Sequence, residues 1–129
     1  MMIKVVAALI EKDHRFLIAR RSTGDSSALG KWEFPGGKVN DNEDEFHAIE
    51  REIKEEFEID VQAIKFLTNN IHESSNMIDL RLYQCKYISG KFNPHDHSEF
   101  KFVTRDELLN YDLAPADILL AQYVKEVMK

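Results

Sequence analysis

Five glutamates crowd the ten residues Glu50–Ile59, EREIKEEFEI, and three of them, Glu52, Glu55 and Glu56, are spaced i, i+3 and i+4. On an α-helix that spacing places all three carboxylates on one patch. Each like-charged pair costs about 0.2–0.5 kcal/mol, and acids near a helix C-terminus oppose the macrodipole by roughly 0.3–1 kcal/mol each. The plain reading is a solvated acidic face. The chemical reading is a site for a hard divalent cation such as Mg²⁺, which takes oxygen ligands, is completed by substrate phosphates and waters, and removes the repulsion.

The elements that must carry such a site are legible around it. Met2 to Ile10 is apolar and β-rich, and Arg15 to Arg20 makes the second arm of a hairpin across the turn-like Lys12-Asp13-His14. Ser22 to Gly30 is small and polar, hence a loop, and Lys31 to Phe34 is a short strand stopped by a Pro35-Gly36-Gly37 turn. Glycine at such a turn lets the backbone approach a ligand closely, because it has no Cβ. The helix follows over Glu43 to Phe57, where Phe46, Ile49, Ile53 and Phe57 recur at steps of three and four and form the stripe expected to face the core. Further strands are expected over Val61 to Leu67, Met77 to Tyr87 and Phe100 to Val103. Two more helices are expected, over Thr104 to Asn110, opened by a Thr104/Glu107 capping box, and over Ala116 to Met128, opened by Pro115.

Gly37, Glu43 and Arg51-Glu52-Ile53-Lys54-Glu55-Glu56-Phe57 together resemble the Nudix box, G-x5-E-x7-R-E-U-x-E-E-x-G-U, over 23 residues. One position departs: Glu58 stands where the box has its second glycine, ahead of the expected apolar Ile59. A glutamate held in left-handed backbone costs about 1 kcal/mol, so a weakened helix cap is expected there, with the catalytic pattern intact. The resemblance implies an α+β fold, an α/β/α sandwich in which a mixed β-sheet lies between helices. It also implies a hydrolase acting on nucleoside diphosphate derivatives. Glu52, Glu55 and Glu56 would coordinate Mg²⁺, with Mn²⁺ a possible substitute, and the Gly36 carbonyl would be a further ligand. Arg51 and Glu43 would orient the metal-binding glutamates, since a guanidinium bonded to carboxylates fixes where they point. The proton acceptor for the attacking water stays open between Glu55, Glu52 and an acid from another loop.

The resemblance covers nearly the whole chain and narrows to the MutT-like branch, in particular its CTP pyrophosphohydrolase and 8-oxo-dGTP diphosphatase type. It is carried by VVAALIEKDHRFLIARR, KWEFPGGKV, His95-Asp96-His97 and LAPADILL. In that branch the arginine ending the second strand contacts phosphate, which points to Arg21 over Arg20, with Lys38 a second phosphate contact; the alternative is a solvated pair. Asp96 falls where a further metal-ligating or base-like acid sits. Its neighbours His95 and His97 read as solvated loop in preference to zinc ligands, since neither Cys nor a third His accompanies them. Glu33 and Phe34 would line the nucleoside side of the pocket, and Asp117 would read the base edge as an acceptor-only group, unless it is simply an early-turn acid favoured by the helix dipole.

The expected reaction is Mg²⁺-dependent conversion of a nucleoside triphosphate, CTP, modified dCTP or oxidised dGTP, to monophosphate and pyrophosphate, in the service of nucleotide-pool sanitation. Two rivals are hydrolysis of another nucleoside diphosphate derivative such as a nucleotide sugar, and a non-catalytic nucleotide-binding module. At 129 residues one domain over residues 1–129 is expected, and the net charge of −6 argues against binding a nucleic-acid polymer. The apolar run after the first residues is too short for a membrane span and lacks the marks of a signal peptide. A lone Cys85 excludes an internal disulfide and suits a reducing compartment, so a cytoplasmic monomer or homodimer is the expectation.

Overall fold

The computed structural model describes residues 2–22, 29–73 and 76–128. Its elements run β1 (Met2–Lys12), β2 (Arg15–Arg21), β3 (Trp32–Glu33), β4 (Gly36–Lys38), α1 (Glu45–Phe57), β5 (Asp60–Glu73), β6 (Met77–Ser89), β7 (His97–Val103), a 3-10 helix (Arg105–Asn110) and α2 (Pro115–Val127). Most of the loop expected over Ser22 to Gly30, residues 23–28, lies outside the described residues.

The apolar run in β1 explains the layering. Val6 to Ile10 are all buried, so this strand is covered on both faces. Alternate residues go opposite ways: Val6, Ala8 and Ile10 pack with Ala48, Ile49, Ile53 and Phe57 of α1, while Ala7 and Leu9 pack with Leu108 of the 3-10 helix and Leu120, Ala121 and Val124 of α2. Period-two alternation thus feeds two cores, and the result is an α/β/α sandwich. The sheet order is β3-β2-β1-β6-β5, with β4 also paired to β1 and β7 to β2. β1 and β6 run parallel and the other pairs antiparallel, which makes the sheet mixed. Asp13 and His14, at φ 53° and 63°, form the two-residue turn between β1 and β2; such mirror-image turns match the twist of a hairpin.

Several expectations shift. The Pro-Gly-Gly segment is less a turn than the start of β4, whose Gly36 and Gly37 pair with Ala7 and Val6. A Cβ on Gly36 would sit 1.9 Å from the Val6 carbonyl oxygen, so only glycine lets β4 lie this close to β1. Phe46 leaves the expected core stripe: it is 46% exposed, whereas Ile49, Ile53 and Phe57 are fully buried. Its ring instead meets Tyr83 edge-on at 5.4 Å, and Ala48 takes its place in the core. The helix expected at Thr104 is a 3-10 turn, with the Glu107 carboxylate accepting from the Thr104 N–H (2.8 Å) and hydroxyl (2.9 Å). Among the described residues no helix is long and apolar enough to cross a membrane.

Candidate active site

α1 is fixed at both ends before it presents its acids. At its start Asp44 accepts from the His47 N–H at 2.8 Å, and Glu45 accepts from the Tyr83 hydroxyl and Arg81 Nε, each at 2.6 Å, which ties the first turn to β6. Burial, followed by the hydrogen bond to Glu45, pushes the Tyr83 hydroxyl up to about 12. At its end Glu58 does adopt the left-handed conformation (φ 59°, ψ 31°), and its N–H reaches the Lys54 carbonyl at 3.0 Å. The cap expected to be weakened is therefore closed, with the glutamate carrying the roughly 1 kcal/mol backbone cost. Between these ends Glu52, Glu55 and Glu56 face a cleft of about 400 Å³, lined also by Val5, Arg21, Gly36, Gly37, Lys38 and Asp96.

The glycines shape this cleft. A Cβ on Gly37 would stand 2.2 Å from Glu52 Oε2, so the carboxylate occupies the space that the missing side chain leaves. Arg51 then holds the acids from behind. Its Nε and Nη2 donate to the two oxygens of Glu43 at 2.7 and 2.9 Å, its Nη1 to Glu52 at 2.9 Å and to Glu55 at 3.3 Å, and its Nη2 to the Lys38 carbonyl at 3.1 Å. The hydrogen bonds from Arg51 and from the Asn40 N–H hold the Glu43 carboxyl down to about 2, and Glu43 in turn raises the Arg51 guanidinium further. Arg51 is thus a hub bridging β4 and α1, rather than one arm of a surface pair with Glu55.

A β-bulge between Arg20 and Arg21 separates the two arginines, as bulges commonly re-aim side chains at a sheet's rim. Arg20 turns to Glu99 and the Gly30 carbonyl, while Arg21 lines the cleft and donates to both oxygens of Glu33 at 3.2 and 3.0 Å. Glu33 is buried and also accepts from His97 Nε2 at 3.0 Å. Burial opposes its ionisation, but His97 and Arg21 outweigh that and lower it. His97 corrects the expected solvated loop: its side chain is fully buried, its ring stacks on Phe57 at 5.3 Å, and its Nδ1 lies 3.9 Å from Glu56 Oε1. His95 remains half in solvent. Nothing near Asp96 in the chain marks His97 for burial, because its carboxylate partner stands 64 residues away.

Phe34 and Asp117 also need correction. The Phe34 side chain is 3% exposed and belongs to the core under α2, and it does not line the cleft; its backbone N–H donates to Asp117 Oδ2 at 2.9 Å. Asp117 is itself buried, and burial with the Glu33 charge pushes its carboxyl up to about 8. Burial thus favours the protonated form of Asp117, which donates as well as accepts, over the acceptor-only carboxylate expected.

The residues present fit a divalent cation. Glu56 is 6% exposed, and burial with the Glu52 and Glu33 charges pushes it up to about 9. Its Oε2 has no hydrogen-bond partner among the described residues, a costly arrangement for a buried carboxylate unless a cation joins it. The facing groups are oxygen donors, which suits hard cations. Among the described residues no three His, Cys, Asp or Glu side chains form a ready-made metal cage.

Comparison with known proteins adds to this geometry. The family described as NUDIX domain matches residues 2–124. CTP pyrophosphohydrolase of Escherichia coli (strain K12) is 37% identical over 122 residues, covering 94% of this chain and 90% of that protein. An 8-oxo-dGTP diphosphatase of Buchnera aphidicola is 32% identical over 104 residues, 81% of this chain and 78% of its own. The solution structure of the E. coli ORF135 protein superposes with a TM-score of 0.88 at 35% identity, over 98% of this chain and 90% of that one.

Proposed function

Because the chain belongs to the Nudix family, we propose that it is a Mg²⁺-dependent pyrophosphohydrolase converting a nucleoside triphosphate to monophosphate and pyrophosphate, its substrate being CTP, modified dCTP or oxidised dGTP. Mn²⁺, a hard cation with the same oxygen-ligand preference, is able to substitute. The observation that carries the reading is the single cleft in which Glu52, Glu55, Glu56 and Asp96 face Arg21 and Lys38: anionic oxygens for a cation beside cations for phosphate. The similarity to proteins named for CTP and 8-oxo-dGTP supports this choice of substrates.

When bound, the metal supplies charge neutralisation on the phosphate oxygens and a more acidic water. The chain's own residues do the rest. Arg21 and Lys38 bind phosphate, and the Arg51 fork keeps Glu52 and Glu55 aimed at the cleft. A water oxygen forms a new bond to one phosphorus of the α–β anhydride and the bridging P–O bond breaks, which separates nucleoside monophosphate from pyrophosphate; Glu52, Glu55 or Asp96 takes the water's proton. Glu33, locked between Arg21 and His97, sets where Arg21 points. The Phe34 backbone and Asp117 form the nucleoside side, where a protonated Asp117 pairs with either a donor or an acceptor on the base edge.

The test is a panel of CTP, 5-methyl-dCTP, 8-oxo-dGTP and dGTP at saturating Mg²⁺ with detection of pyrophosphate. Preferential turnover of one of the first three supports the reading. Uniformly poor turnover, or release of a sugar phosphate from a nucleotide sugar instead, overturns it.

A further inference from the structure

Glu58, the one residue that breaks the box pattern, makes contacts that a glycine there could not make. Its Oε2 accepts from Asn93 Nδ2 at 2.7 Å and meets His95 Nε2 at 2.5 Å. Both partners lie in the segment between β6 and β7, and the backbone of the same two residues is bound to the same helix end: the Asn93 N–H donates to the Phe57 carbonyl at 2.9 Å and the His95 N–H to the Glu56 carbonyl at 3.0 Å. Carbonyls of a last helical turn have no partner within the helix, so this segment serves as their cap.

The neighbouring contacts press the segment onto α1. Gly90, at φ +108°, comes so close that a Cβ would lie 2.9 Å from the Ile59 Cα and 3.0 Å from the Glu58 carbonyl oxygen. Phe92 packs edge-on against Phe57 at 6.2 Å and stacks on Phe100 at 5.2 Å. The next residue after His95 is Asp96, which lines the cleft beside Glu52, Glu55 and Glu56, and its carbonyl is held from the far side by the Ser22 N–H and hydroxyl at 3.1 and 3.0 Å.

Resting on the reading of that cleft given above, we propose that Glu58 is a positioning residue: its carboxylate clasps Asn93 and His95 to the end of α1 and thereby holds Asp96 in register with the box glutamates. The left-handed glutamate at the cap ties down, through its side chain, an acid from a distant strand junction. Glycine would suit the backbone better and leave Asn93 and His95 bound to the helix end by their main-chain N–H groups alone.

The experiment compares Glu58→Gly, Glu58→Gln and the double variant Asn93→Ala/His95→Ala with the native chain. Two readouts are taken: amide hydrogen exchange at residues 93 and 95, and kcat and KM measured separately. Losing one or two exposed hydrogen bonds corresponds to a factor of roughly 3–10. Glu58→Gly is expected to speed exchange of both amides by about that factor and to lower kcat by about as much, with KM changed less than about 2-fold. Glu58→Gln, which keeps an acceptor at the same reach, is expected to recover most of both. The double variant is expected to match Glu58→Gly, and combining the two should add little. Unchanged exchange in Glu58→Gly, or accelerated exchange with kcat intact, overturns the proposal. Should the native chain release no pyrophosphate, the functional reading falls by itself, and the clasp is judged on amide exchange alone.

Discussion

Arg51 shows how one side chain can organise a site it does not enter. Its planar fork reaches Glu43, Glu52, Glu55 and the Lys38 carbonyl together, which a lysine's single ammonium cannot do. Arg51→Lys is therefore expected to lower kcat/KM for the preferred nucleotide by about 10–100-fold, the usual loss when a residue orienting metal ligands is changed. Steady-state pyrophosphate release measures it. Asp117 supports a prediction of stability. Its carboxyl is pushed up to about 8 in the folded chain, from an ordinary 3.8, so the native state holds a proton that the unfolded state has released over that interval. Stability therefore falls as pH rises from about 4 to about 8, because the unfolded chain binds fewer protons there. Asp117→Asn, neutral at every pH, is expected to remove that slope. Its melting temperature relative to the native chain should climb between pH 5 and pH 9 by thermal melts; a constant offset would contradict the assignment.

The element that matters most is α1, whose one face is core and whose other face lines the cleft. Ile53 is fully buried between the sheet and the helix, so Ile53→Ala is expected to cost about 2–5 kcal/mol in urea unfolding. Phe46 is 46% exposed and meets Tyr83 edge-on, and Phe46→Ala should cost less, about 1–2 kcal/mol. Equal costs would mean that the helix is rotated from the orientation described. That orientation matters chemically: turning α1 to bury Phe46 would carry Glu52 away from its cradle beside Gly37.

At the scale of the whole molecule, a chain of net charge −6 concentrates several of its acids at one cleft, so a bound cation should stabilise the fold as a whole. Ligand binding to the native state alone adds about 2.7 kcal/mol at a hundred times its Kd. Melting followed with Mg²⁺ and again with excess chelator should show a reversible rise in Tm, and Glu56→Gln should shrink it. The two-sided sheet that buries β1 packs α1 on one face and α2 on the other, so stabilising α1 stabilises both cores.

The box spacing, the alternation in β1, the hairpin turn at Asp13-His14 and the Thr104/Glu107 cap could all be read along the chain, because each rests on partners within a few residues or on the period of one element. Three findings could not. His97 is stacked on Phe57 and bonded to Glu33, 64 residues distant; Asp117 is bonded to the Phe34 backbone across 83 residues; and Glu58 clasps a segment 35 and 37 residues further on. Burial and desolvation depend on which surface another element comes to cover. Local order carries no record of that surface, so these polar groups acquire their partners, and Asp117 its raised pKa, only when the sheet and helices close over them.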